Sequence, residues 1–277
     1  MHPLAAEAAA LLGAEVVRAE ALAGGYVSSV LRLTLADGRR VVVKASPDPA
    51  REAAMLRAIA ATGAPAPAVL AASPTALVMS WARDDGSLAR AWGHLGEVLA
   101  RLHAPPDAAV PPGAKAPPAY GWPEDDAFGP LAIPNAPLDD WPAFWAERRL
   151  LAHVDGVGAD LARRIATLAA QLPERLPRRP NAALLHGDLW VGNVLAHGGR
   201  VSALIDPACL RGHAEADLAM LTLFGTPDAA FWDAYPAERG WRERRCVYQL
   251  WPAIVHLRLF GEGYRPMVAR LLAEAGV

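Results

Sequence analysis

The sequence predicts an α+β fold in two lobes. A small antiparallel β-rich lobe with one main helix spans residues 1–81, and a larger, mostly helical lobe spans residues 82–277. Three observations carry this expectation. Strand-like apolar runs crowd residues 15–46 and 68–81. Beyond Trp81 the pattern is helical, apart from one strand-and-loop patch at 182–207. Strands and helices do not alternate along the chain, which argues against a doubly wound parallel sheet. A chain of 277 residues is long enough for roughly two domains at about 150 residues each, and it can bury a core without disulfide or metal staples.

The elements follow in order. The first ~14 residues suit a short helix. Val16-Val17 and the Val30–Leu35 run read as strands, and Asp37-Gly38 reads as a hairpin turn with φ > 0 available at both positions. Val41-Val42-Val43-Lys44 is the return strand. Asp48-Pro49 opens a helix, with proline in its first turn and Ala53, Leu56, Ile59 and Ala60 on its apolar face. Short strands follow at 68–72 and 76–81, parted by Ser73-Pro74. Residues 87–103 form a helical run. The 104–142 stretch holds 11 of the 25 prolines, so it is expected to be irregular and partly extended rather than regular helix. From Trp141 helices dominate, resuming near Glu215, Asp228, Trp241 and Arg265 after the 182–207 patch.

Composition excludes several classes. Apolar residues make up 53% and charged residues 20%, which rules out wholesale disorder. The formal charge is −2 and no basic block stands out, so no nucleic-acid partner is expected. Two cysteines, Cys209 and Cys246, cannot build a disulfide framework or a four-cysteine zinc site. The start carries Glu7 and no basic leader, and the longest uncharged stretch, 58–82, is broken by Gly63, Pro65, Pro67 and Pro74. A cytoplasmic, monomeric protein without a membrane span is the resulting expectation. Of the 27 basic residues only Lys44 and Lys115 are lysine, which marks the places where a compact ammonium is used in place of a guanidinium fork.

The strongest chemical signal is His186-Gly187-Asp188-Leu189-Trp190-Val191-Gly192-Asn193, followed by Leu204-Ile205-Asp206-Pro207. Asp188 and Asn193 have the Asp-x-x-x-x-Asn spacing of a kinase catalytic loop. In that arrangement Asp188 faces a substrate hydroxyl, while Asn193 and Asp206 supply oxygens to a Mg²⁺ that bridges ATP phosphates. Each residue alone has a plainer reading, as a helix cap or a turn; the three together, downstream of a strand lysine, favour chemistry. Lys44 is placed to reach phosphate, with Glu52 as its ion-pair partner; the plainer readings are a solvated strand lysine and a first-turn glutamate. Gly24 and Gly25, with Ser28 and Ser29, form a loop that can offer N–H and hydroxyl donors to phosphates. The Leu77–Trp81 strand leads into the connector that reads adenine, with Met79 as a gatekeeping side chain and Trp81 at its end. Trp190 is a candidate wall for the acceptor. Asp217 is read as a tether that accepts backbone N–H bonds from the loop, with His186 supporting it, and His103 as a structural residue at a helix C-terminus.

These motifs, with Val43-Lys44, Phe128-Gly129, Pro134-Asn135, Phe144-Trp145, Glu147-Arg148-Arg149-Leu150-Leu151, Ile205-Asp206-Pro207-Ala208 and Glu215-Ala216-Asp217-Leu218-Ala219-Met220, resemble the fructosamine/ketosamine 3-kinase family, a branch of the aminoglycoside-phosphotransferase-like kinases. The His-Gly-Asp core is shared by many small-molecule kinases. The Leu189-Trp190 pair and the Phe144-Trp145-x-Glu147-Arg148-Arg149 segment are narrower. The resemblance implies a protein-kinase-like fold, with a nucleotide-binding first lobe and a second lobe bearing the catalytic loop and acceptor site. It implies ATP- and Mg²⁺-dependent phosphorylation of the sugar 3-hydroxyl of a ketosamine, free or on a glycated protein, leading to deglycation. Asp188 is then the catalytic base, Asn193 and Asp206 hold metal, and Lys44 holds phosphate. Two other readings stand beside it: a kinase of the same fold acting on an aminoglycoside or a choline-like alcohol, and a nucleotide binder without catalysis.

Overall fold

A five-stranded sheet of order β1-β2-β3-β5-β4, every neighbouring pair antiparallel, organises the first part of the chain. The computed structural model describes residues 2–22, 29–105 and 120–277, so Gly24, Gly25 and Ser28 lie outside the described residues. Helix α1 (Pro3–Leu12) starts where His2 Nδ1 accepts the Leu4 N–H and stops at Gly13, whose φ of 58° suits only glycine well. Strands β1 (Val16–Ala21), β2 (Val30–Leu35) and β3 (Arg40–Ala45) follow. The turn between β2 and β3 differs from the expected one. Only Gly38 has positive φ (84°), and Gly38 N–H donates to Leu35 O while Leu35 N–H donates to Arg39 O. This is a three-residue loop closed by a glycine, with Asp37 Oδ1 accepting the Arg39 N–H.

Alternation along β2 and β3 divides the sheet into two faces. Leu31, Leu33, Leu35, Val41 and Val43 pack under α1 with Leu4, Ala5 and Ala8. Helix α2 (Pro49–Ala61) covers the other face, where Ala53 and Leu56 meet Leu77 and Met79 of β5 (Ala76–Ser80) and Val69 of β4 (Val69–Ala72). Its start is the expected one, with Pro49 in the first turn and Asp48 Oδ1 accepting the Arg51 N–H at 3.0 Å. Met55 rather than Ala60 completes its buried side.

The chain forms two compact units, residues 1–101 with 192–208, and residues 102–191 with 209–277. This is not the division at 81/82 expected from the change in composition. The reason is hydrogen bonding. The expected helical run 87–103 splits into a 3₁₀ turn (Ser87–Arg90) and α3 (Trp92–Leu102). The 83–94 stretch ties down the hairpin of β9 (Val194–His197) and β10 (Arg200–Leu204). Gly198 N–H donates to Asp85 at 3.0 Å, Gly199 N–H to Ser87 Oγ at 3.0 Å and Val201 N–H to His94 at 2.9 Å. Leu204 N–H reaches Pro65 O at 2.8 Å.

In the second unit the described part of the proline-rich stretch, expected to be irregular and partly extended, contains a small hairpin, β6 (Asp126–Phe128) with β7 (Leu131–Ile133). Helix α4 (Trp141–Trp145) runs into a π-helical turn, Ala146–Leu150, then a 3₁₀ turn, Leu151–His153. Helix α5 (Ala159–Arg175) precedes β8 (Ala183–Leu185), which pairs antiparallel with β11 (Leu210–Gly212), a strand the sequence reading passed over. Helices α6 (Glu215–Phe224), α7 (Ala229–Ala234), α8 (Trp241–Phe260) and α9 (Arg265–Glu274) begin where expected. Their core is aromatic at its centre: Trp141 stacks on Phe144 at 5.5 Å, and Trp145 meets Tyr248 edge-on at 4.9 Å. No helix among the described residues is long and apolar enough to cross a membrane.

Two stability predictions arise here. A Cβ on Gly212 would lie 2.7 Å from a Trp141 ring carbon and 2.9 Å from Leu185 Cδ1. Gly212→Ala should therefore cost about 1–3 kcal/mol by overpacking, read as a lower urea midpoint; an unchanged midpoint would show that the ring moves freely. His153 is wholly buried with neither ring nitrogen hydrogen-bonded. Burial, then the charges of Arg149 and Arg258, push its pKa down to about 4. The unfolded chain thus binds this proton first. The stability held above about pH 6.5 falls as pH drops towards 4, by up to about 3 kcal/mol at ~1.4 kcal/mol per pH unit. His153→Leu should flatten the decline in unfolding free energy between pH 7 and 4.5; an equally steep decline would assign the acid sensitivity elsewhere.

Candidate active site

Strand register sets the residue group of the first unit. Val30 pairs with Lys44, so Lys44 shares a sheet face with Val42 and lies on the side covered by α2. From the first turn of α2, Glu52 Oε1 meets Lys44 Nζ at 2.9 Å. Asp206 Oδ1 accepts from the same ammonium at 2.8 Å. Burial alone would push the Lys44 pKa down; the Glu52 and Asp206 charges outweigh it and raise it. Lys44 is therefore a fixed cation held between two carboxylates, and a lysine rather than a guanidinium fits a site where one point charge is shared.

Asp206 is the one non-glycine residue with positive φ (53°) among the described residues. Aspartate tolerates this region better than most side chains. The conformation comes just after β10, and Ile205 N–H donates to Asn193 O at 3.0 Å, so the Asn193 and Asp206 segments run side by side. Asn193 is 5% exposed and Asp206 half-exposed. An amide oxygen and a carboxylate are hard oxygen donors, the type that suits Mg²⁺.

In the second unit a loop hangs from a buried carboxylate. After β8, His186 N–H donates to Asp217 Oδ2 at 2.7 Å and Gly187 N–H to Oδ1 at 3.0 Å. Gly187 has φ of 81°, which turns the chain towards Asp188. His103 Nε2 donates to Asp217 Oδ2 at 3.1 Å, and the Tyr235 hydroxyl lies 2.8 Å from His103 Nδ1. Burial pushes the Asp217 carboxyl up, but the His103 hydrogen bond, the His103 and His186 charges and the His186 N–H together take it below the ordinary value. Asp217 is thus an ionised, filled acceptor at the root of the loop.

The expected residues are therefore placed as follows. Lys44, Glu52, Asn193 and Asp206 gather in the first unit. Asp188, half-buried, and Trp190, 38% exposed, project from the loop in the second, with His186 and Asp217 behind them. Met79 is buried against α2, and Trp81 lies under the Arg32 guanidinium at 5.0 Å. Ser29 O accepts the Ala45 N–H at 3.0 Å, next to Lys44. His103 serves not as a helix-dipole cap but as a ring locked between Asp217 and Tyr235. Tyr235 was missed, because nothing in a lone tyrosine past a short helix signals a partner 132 positions back. His213, Glu215 and Glu238 are close enough to share an ion, but Arg244 pairs with both Glu215 oxygens.

Comparison with known proteins gives a consistent result. Residues 4–275 match the family model described as fructosamine kinase. A Synechocystis protein named as a probable ketoamine kinase is 35% identical over 212 residues, covering 72% of this chain. The match spans 66% of that relative's length. A crystal structure named for fructosamine-3-kinase, from Thermobifida fusca, superposes with a TM-score of 0.87 at 32% identity over 99% of both chains. A hygromycin-bound aminoglycoside phosphotransferase, 18% identical, superposes with a TM-score of 0.63 over 94% of this chain and 95% of its own, and shares the protein-kinase-like fold.

Proposed function

Since this chain belongs to the fructosamine kinase family, we propose that it transfers the γ-phosphoryl group of ATP to the 3-hydroxyl of a ketosamine, a sugar rearranged onto an amine. The observation that carries this reading is the Lys44 ammonium fixed between Glu52 and Asp206, with the Asn193 segment beside Asp206.

The hydroxyl oxygen attacks the γ-phosphorus in line, the bond to the bridging oxygen breaks, and ADP leaves. Asp188 takes the hydroxyl proton. The transition state needs little covalent help, so positioning and charge neutralisation dominate. Lys44 offsets phosphate charge, and Glu52 keeps it from swinging away. Asn193 and Asp206 would hold Mg²⁺, which supplies further charge neutralisation at the β- and γ-phosphates. Asp217 holds the backbone from which Asp188 projects. Trp190 gives the acceptor an apolar wall. Elimination of the unstable 3-phosphate frees the amine, which makes the net outcome deglycation.

The experiment is ATP consumption with Mg²⁺ against ribulosamine, erythrulosamine and fructosamine derivatives of lysine, with kanamycin and choline as contrasts. Turnover that depends on a ketosamine supports the reading. Turnover with kanamycin or choline alone would move the chain to another acceptor, and ATP binding without turnover on any acceptor would make it a nucleotide binder.

A further inference from the structure

The Phe144–Leu150 segment has no part in the chemistry above, yet it carries the most unusual buried group in the second unit. Arg149 is 1% exposed. Its guanidinium lies 5.0 Å from the Phe144 ring centre and 4.9 Å from that of Trp251. Its Nη1 donates to Pro134 O at 2.7 Å and Arg148 O at 2.9 Å, and its Nη2 to Asn135 Oδ1 at 2.7 Å. These are neutral acceptors, whereas a buried cation ordinarily sits on a carboxylate. Its backbone belongs to the π-helical turn, a geometry that is rare and concentrated at functional sites.

Arg149 lines a cavity together with Trp145, Trp251, Gly187 and Asp217. The Arg149 Nε, Trp145 Nε1 and Trp251 Nε1 atoms are buried and without a hydrogen-bond partner. Three residues that carry orphaned N–H donors thus line one small space, which Gly187 and Asp217 line as well. The space has room for a single water-sized guest. A water there can accept from two of these donors, one for each lone pair. Leaving such donors unmet in the interior is unfavourable.

We propose that Arg149 is a positioning residue for the loop carrying Asp188, acting through one buried water seated between the Arg149 side chain, the two indoles and the Gly187–Asp217 wall. The inference rests on the kinase reading for its kinetic consequence but not for its structural one. The segment is held rigid from both sides: Asp217 fixes the loop's N–H groups, and Arg149 closes the space behind them. A loop displaced by about 1 Å into an open cavity would lose rate without losing either substrate.

The test uses the full chain with Arg149→Met, Arg149→Lys and Trp145→Phe. Arg149→Met should lower kcat about ten- to a hundred-fold, with KM for ATP and for the ketosamine within about two-fold of wild type. Arg149→Lys should recover most of the loss, since a lysine can still donate into the cavity. Trp145→Phe keeps the packing, removes one donor, and should lower kcat a few-fold; it serves if Arg149→Met does not fold. Amide hydrogen exchange over 185–190 should speed up in Arg149→Met and in Trp145→Phe whether or not an acceptor has been found. Unchanged exchange with unchanged kcat would overturn the inference, as would an equal loss in Arg149→Met and Arg149→Lys. Faster exchange in a protein inactive on every acceptor would leave the positioning role standing and remove the kinase reading instead.

Discussion

Replacing Asp188 with Asn should lower kcat by at least about 10²-fold, the lower end of what a positioned acid–base group contributes. The amide has the shape of the carboxylate, so the loop keeps its path; it cannot take the hydroxyl proton. Nucleotide affinity should hold, because the residues proposed to face phosphate are Lys44, Asn193 and Asp206. The His186 and Gly187 N–H groups donate to Asp217 in either case. The measurement is steady-state turnover with the best ketosamine found, beside ATP binding by calorimetry. Near wild-type turnover would remove Asp188 from the role of base, and loss of ATP binding would show that its charge matters to the nucleotide instead.

Asp217→Ala should destabilise the protein by about 3–5 kcal/mol, the loss expected when one member of a buried charged network is removed. Two backbone N–H groups and the His103 ring lose their acceptor at once, in a site 1% exposed. Asp217→Asn should be milder, because one oxygen still accepts, but its NH₂ would then face a backbone N–H. Urea midpoints rank the three proteins, and turnover should fall with stability because the same bonds place Asp188. The carboxyl is held below its ordinary value in the fold. Its contribution is therefore complete above the ordinary aspartate range and is lost only as pH falls through the lower folded value, well below the window in which His153 acts. A stable Asp217→Ala protein would mean that the loop is fixed by other contacts.

Local signals were legible in the sequence where the chemistry is local. Asp48-Pro49 marks a helix start because the cap and the fixed φ act within one turn, and α2 begins there. Alternation in β2 and β3 assigns their buried faces because the strand period is two. The spacing of Asp188, Asn193 and Asp206 is visible as a motif. What escaped depends on partners distant in sequence. Strand β11 is three residues long and exists through its pairing with β8. The β6–β7 hairpin lies in a proline-dense stretch read as irregular and partly extended, and its pairing was not visible there. The 81/82 boundary follows a change in composition, whereas the packing boundary follows hydrogen bonds from Asp85, Ser87 and His94 to a hairpin about 110 residues later. Arg149 appears in the sequence as part of a family segment, but a buried guanidinium cannot be told from a surface one in an Arg-rich chain.

The interleaving of the two units bears on how the protein is made. Synthesis delivers the five-stranded sheet early, yet Pro65 O has no Leu204 N–H to accept and Lys44 has only Glu52 until the ribosome has passed residue 206. About three-quarters of the chain must emerge before the first unit can close, so the nascent protein cannot finish one unit before starting the next. Until then Asp85, Ser87 and His94 lack the hairpin N–H groups whose bonds they accept in the folded chain.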